Sequence, residues 1–136
     1  MSKQLLRVGT IYIPVNDVEV SSDWYAEKLN AEISYQDNEK AILNMASMSF
    51  FLVRSVGQSA NFVDIHGEEH FILTFEVNGI EALTELHNDF LEKGLNVGEI
   101  EDRGHAGKNF VFYDLDGNKF DVWSELSPDF KKRYLL

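Results

Sequence analysis

Ile11-Tyr-Ile-Pro-Val-Asn-Asp-Val18 and, 62 residues later, Leu73-Thr-Phe-Glu-Val-Asn-Gly-Ile80 carry one pattern twice. Ile11 falls on Leu73, Ile13 on Phe75, Val15 on Val77, Asn16 on Asn78 and Val18 on Ile80. In both, apolar residues alternate with others, as in a strand that buries one face. A helical spacing follows each. Val18, Ser22, Tyr25 and Leu29 share one face beside Trp24, and Ile80, Leu83, His87 and Leu91 share another beside Phe90. Asp17 is placed to cap the first helix, and Asn78 with Glu81 to cap the second. Asn30 and Gly94 stand where the helices should stop, and both types tolerate the left-handed backbone of a helix end.

A second register, offset by 70, joins the ends of the halves: Ile42 falls on Phe112, Asn44 on Asp114, Phe50 on Phe120 and Leu52 on Val122. Asp114-Leu-Asp-Gly-Asn118 has the composition of a hairpin turn. Each half therefore reads as strand, helix and about three strands, a βαβββ module in an α+β chain. Module one spans about 7–55 and module two about 70–125. Between them a linker of about 56–69 shows no period and carries Gly57 and Gly67, and 126–136 is a tail.

The length of 136 residues, with 44% hydrophobic and 26% charged, suits one globular domain. A net charge of −11 repels phosphate backbones, and the basic run Lys131-Lys132-Arg133 sits at the C-terminal end, so no nucleic acid is expected as a partner. No stretch approaches the ~18 apolar residues of a membrane helix. MSKQLLRVGT lacks the apolar core of a signal peptide, so a cytoplasmic address is expected. The absence of Cys excludes disulfides, thiolate chemistry and the softest metal ligands.

Strand parity sorts the side chains. Ile11, Ile13 and Val15 should pack on helices, with Thr10, Tyr12 and Pro14 opposite; Leu73, Phe75 and Val77 likewise, with His70, Ile72, Thr74 and Glu76 opposite. Phe50 and Leu52 pack while Ser49, Phe51 and Val53 face away, and Phe120 and Val122 pack while Asp121 and Trp123 face away.

Val15-Asn-Asp-Val-Glu-Val-Ser-Ser-Asp-Trp-Tyr25 and Leu29-Asn30 resemble the opening strand and helix of the vicinal oxygen chelate superfamily. Gly107-Lys-Asn-Phe-Val-Phe-Tyr-Asp-Leu-Asp-Gly-Asn118 resembles its closing hairpin, with Leu115 where proline is usual. The resemblance spans about Arg7 to Glu125. It implies that the modules form an open, curved, barrel-like sheet around a cavity, with helices outside. It also implies a relative of glyoxalases, extradiol dioxygenases and fosfomycin- or bleomycin-resistance proteins, pairing as a homodimer. The family's metal ligands, carried over, land on Thr10, Phe51, Ile72 and Asp121. Phe and Ile cannot ligate and Thr is weak, so the inherited site is broken.

The leading expectation is a metal-free, small-molecule-binding protein whose cavity residues are Thr10, Tyr12, Phe51, His70, Ile72, Tyr113, Asp121 and Trp123. In that reading an apolar, aromatic cavity carries a few polar groups. Asp121 would be a cation partner or general base there, or a solvated carboxylate at the mouth. A second reading is a divalent-metal lyase or dioxygenase with ligands shifted to His70, Asp121 and His105. A third is a scaffold domain whose side chains fill the cavity. His66 and His87 are read as structural or exposed.

Overall fold

Strand β1, Thr10–Val15, buries Ile13 and Val15 completely on one face and leaves Tyr12 61% exposed on the other. In the computed structural model, which describes residues 3–136, Met1 and Ser2 at the head of the N-terminal stretch lie outside the described residues. Helix α1, Val18–Leu29, starts where Asp17 Oδ1 accepts from Val20 N at 3.1 Å and stops at Asn30, whose φ is 57°. Strands β2 (Glu32–Gln36), β3 (Lys40–Met45) and β4 (Met48–Arg54) follow. They form one sheet in the order β1-β4-β3-β2, with β1 parallel to β4 and the other pairs antiparallel. Helix α1 packs on β2, β3 and β4, and Tyr25, Leu43, Phe50 and Leu52 lie in the core between them. Each such fully buried aliphatic or aromatic side chain stabilises by about 1.5–3 kcal/mol.

The chain divides into two units between Ser59 and Ala60, and the second repeats the first. After the short strands β5 (Phe62–Val63) and β6 (Glu69–His70) come β7 (Thr74–Glu76), helix α2 (Ile80–Glu92), β8 (Asn96–Val97), β9 (Asn109–Tyr113) and β10 (Lys119–Trp123). The sheet order is β7-β10-β9-β8, with β7 parallel to β10, so both units are βαβββ and the α+β reading holds. Its core is aromatic: Phe90 meets Phe112 at 5.0 Å between ring centroids and Phe112 meets Phe120 at 5.4 Å.

Several local expectations need correction. Asn78 does not cap α2; the cap is Gly79, with no side-chain hydrogen bond. Backbone pairing continues past β7, where Val77 N donates to Trp123 O and Gly79 N to Ser124 O, both 2.9 Å. The helix therefore starts one residue later than the Asn78–Glu81 spacing suggests. Its buried stripe is Leu83 and Phe90 with Leu86 and His87 half-buried, whereas Ile80 and Leu91 are 44% and 53% exposed. The aperiodic 56–69 segment is not a bare linker: β5 lies within it and pairs antiparallel with β6, which runs from Glu69 to His70. From Ala60 on it is laced to the β9–β10 turn. Asn118 Oδ1 accepts from Ala60 N, and Asn61 Oδ1 accepts from Lys119 N, both at 2.8 Å. That turn is held by Asp114 Oδ1, which accepts from Asp116 N and Asn118 N, each at 2.9 Å. The C-terminal tail contains helix α3, Pro128–Arg133. No helix among the described residues is long and apolar enough to cross a membrane.

Candidate functional site

Asp121 lies on β10 between Thr74 of β7 and Val111 of β9, turned away from the buried Phe120 and Val122. It is nevertheless only 2% exposed. Oδ2 accepts from Thr74 Oγ1 at 3.0 Å and from Asn109 Nδ2 at 2.9 Å. Oδ1 lies 3.1 Å from Arg103 Nη2. Arg103 in turn donates to Glu101 Oε1 from Nη2 at 2.9 Å and Nε at 3.3 Å, and its guanidinium carbon sits 5.8 Å from the Phe71 ring centroid. Burial pulls the Arg103 pKa down. The hydrogen bond to Glu101 and the charges of Asp121 and Glu101 outweigh it, so the guanidinium is held above its ordinary value. Asp121 is therefore neither a lone charge nor a solvated carboxylate.

Arg103 belongs to the connection from Glu101 to Lys108, which is tied to the end of β10 and to Ser124. Trp123 Nε1 donates to Ala106 O at 2.9 Å, the His105 ring stands edge-on to Trp123 at 5.9 Å, and Lys108 N donates to Ser124 Oγ at 2.8 Å. Gly107 makes this approach possible. Its φ is +72°, and a Cβ there would reach Trp123 Nε1 at 3.0 Å and Glu125 Cγ at 2.9 Å, with Ser124 Oγ closer still.

In the first unit Tyr12 pairs with Phe51 across β1 and β4, their rings 5.3 Å apart and tilted by 54°. Ile42 stands opposite Phe51, and Tyr35 opposite Ile42, so an apolar row crosses the whole sheet. Thr10 stands opposite Ser49 at the edge of the same face. In the second unit Tyr113 is half-buried on β9 opposite Lys119. The structure thus brings together Tyr12 with Phe51, and Asp121 with its β10 neighbour Trp123. Two surface depressions of about 450 and 270 Å³ lie in the first unit, and neither is lined by any of the eight candidate residues.

His70 is not one inward step from Ile72 on a shared strand. It lies on β6, stacked on Phe62 at 5.0 Å, with Nδ1 donating to Phe71 O at 2.8 Å. Ile72 falls in the break before β7 and is 51% exposed. His105 is exposed, its Nδ1 donating to Ala106 O at 2.9 Å. Among the described residues no three His, Asp or Glu side chains gather as a metal could use, so His70, Asp121 and His105 do not form a set. The family's own positions do not fit a metal either. Phe51 and Ile72 have no donor atom, and Asp121 already faces Arg103, Thr74 and Asn109.

Two members of the site escaped the sequence. Asn109 shares strand parity with Val111 and Tyr113, so the rule that selected Tyr113 also points to it. Arg103 sits in an irregular connection, where neither period nor parity gives a signal.

Residues 7–122 match the family model described as the Glyoxalase/Bleomycin resistance protein/Dioxygenase superfamily. No curated protein matches the sequence. Among solved structures, the genomically encoded fosfomycin resistance protein FosX of Listeria monocytogenes is 15% identical, with a TM-score of 0.74 over 90% of this chain and 96% of that one. The same FosX in complex with Mn(II) and sulfate is 18% identical, at 0.71 over 96% and 99%. Lactoylglutathione lyase of Agrobacterium tumefaciens is 13% identical, at 0.70 over 89% and 95%. At these identities the likeness shows the fold, α+β with curved, unclosed sheets.

Proposed function

Because the chain belongs to the glyoxalase/bleomycin resistance protein/dioxygenase superfamily without offering its usual metal ligands, we propose that it binds a small molecule without metal. One observation carries this reading: the charge of Asp121, at the inherited ligand position, is answered by the Arg103 guanidinium at 3.1 Å. A carboxylate already paired and accepting two further hydrogen bonds is a poor metal ligand, because binding a cation would first mean breaking those contacts. Trp123, two residues further along β10 on the same face, supplies apolar surface of the kind that small-molecule sites use. The FosX and lactoylglutathione lyase structures support the class of ligand only broadly, as proteins named for small molecules. The reading includes a cytoplasmic homodimer.

Metal analysis of protein purified without chelator should find no stoichiometric Zn, Ni, Mn or Fe, and EDTA should leave the melting temperature unchanged. Stoichiometric metal sinks the proposal. A chemical library should give compounds that raise the melting temperature of the native protein and lose that effect in Trp123→Ala. No stabilising compound at all would favour instead a scaffold whose 101–108 connection fills the site.

A further inference from the structure

Asn109 Oδ1 is buried with no hydrogen-bond donor, and the buried Asp121 Oδ1 is met only by Arg103 Nη2. Their residues are 3% and 2% exposed, so bulk water does not serve them. Turning the Asn109 amide would not help, since its Nδ2 already donates to Asp121 Oδ2. Arg103 Nη2 lies 3.1 Å from Asp121 Oδ1 as a charge contact, while its aligned N–H groups go to Glu101. Two carboxylates, Asp121 and Glu101, thus share one guanidinium, and the cluster is short of one positive charge. The molecule as a whole, at −11, adds a field of the same sign.

We infer that this site takes a cationic nitrogen ligand bearing several N–H groups, of the guanidinium, amidinium or primary ammonium kind. Its N–H groups donate to Asp121 Oδ1 and Asn109 Oδ1, in the place where Arg103 now approaches. The inference rests on the proposed metal-free binding and names the class of ligand. Two oxygen acceptors, one of them charged, select a cation with at least two donors; a planar amidinium or guanidinium presents them in one fork. Anions are opposed by Asp121 and Glu101. Arg103 is then an internal competitor: it occupies the place that the ligand's N–H groups would take, and it keeps its Glu101 partner when it leaves. A ligand that must first displace it binds with an affinity reduced by the fraction in which Arg103 occupies that place.

The test uses the full chain and three probes at matched ionic strength: methylguanidinium, the neutral isostere N-methylurea, and methylphosphonate. Calorimetric or NMR titration should show binding of methylguanidinium alone. Arg103→Ala should tighten it by about tenfold or more, since the competitor is gone. Asn109→Leu made in the Arg103→Ala background should reverse that gain. If Arg103→Ala proves unfolded by itself, refolding on addition of methylguanidinium is the expected result, and no refolding overturns the inference. Equal binding of methylguanidinium and N-methylurea in both the native protein and Arg103→Ala overturns it as well. So does a neutral or anionic library compound that binds through Trp123 while methylguanidinium does not; that outcome leaves the metal-free reading standing. Stoichiometric metal in the purified protein removes the underlying reading instead.

Discussion

Ser22 is buried completely in the face of α1 that packs on its sheet, yet its hydroxyl has no hydrogen-bond partner. A hydroxyl in that position loses water and gains nothing, which costs about 1–3 kcal/mol. Ala has the higher helix propensity and nearly the same volume, so Ser22→Ala should stabilise by about 0.5–1.5 kcal/mol, read as a higher denaturant midpoint with an unchanged m-value. Asp37 shows the opposite economy. Its Oδ2 accepts from Tyr35 Oη at 2.6 Å and its Oδ1 from Glu39 N and Lys40 N at 2.8 and 2.9 Å. The Tyr35 hydrogen bond, then the two backbone bonds, hold its carboxyl well below the usual range; the same Asp37 bond and charge push the Tyr35 phenol above its ordinary value. A depressed carboxylate stabilises above its unfolded pKa near 4 and loses that contribution as pH falls through the folded value. The raised phenol contributes below about 10 and loses it as pH rises further. The melting-temperature gap between Asp37→Asn and the native protein should therefore be widest between about pH 5 and 9 and close toward acid. A gap independent of pH down to strong acid would refute the assignment. Residue types were legible in the sequence at both positions. Their partners were not, because hydrogen bonds depend on geometry that a string of letters does not hold.

Elements were more legible than residues, and the exceptions have causes. Alternation and helical spacing identified β1, α1, β4 and β10 because each buries one face within its own unit, so period and burial coincide. The start of α2 was misplaced because backbone pairing with the end of β10 holds the chain extended through Gly79, overriding the Asn78–Glu81 signal. The β5–β6 pair was invisible: strands of two residues have no period to read. The β3–β4 hairpin was equally unmarked, for it turns through Ala46 and Ser47 with φ of 50° and 62°. That is the geometry of a turn usually made by Asn-Gly, and a non-glycine residue in the left-handed region costs roughly 1 kcal/mol. The double variant Ala46→Asn, Ser47→Gly should raise the unfolding free energy by about 1 kcal/mol, measurable by urea titration, with the strand register unchanged. Loss of stability would mean that these two side chains make contacts that the turn needs.

At the scale of the whole chain, the doubled pattern read from Ile11–Val18 and Leu73–Ile80 predicted the topology, and the two sheets repeat one strand order. Packing faces follow short-range rules and stayed alike, whereas the opposite faces diverged: Tyr12 beside Phe51 in one unit, Thr74 beside Asp121 in the other. The candidate site was half legible. Parity identified Asp121 and Trp123, but the group that decides their chemistry, Arg103, lies in a connection without period. The second unit also begins earlier than the repeat implies, at Ala60, through the reciprocal clasp of Asn61 and Asn118. In hydrogen exchange that clasp has a signature. The amides of Ala60 and Lys119, although outside any ladder bond to each other, should exchange slowly, and Ala60 should exchange far more slowly than exposed Gln58 two residues earlier. Asn118→Ala should release Ala60, and Asn61→Ala should release Lys119. A chain cut at residue 70 instead of 60 would shed both partners of the clasp on the upstream side and leave the β9–β10 turn to open on its own timescale.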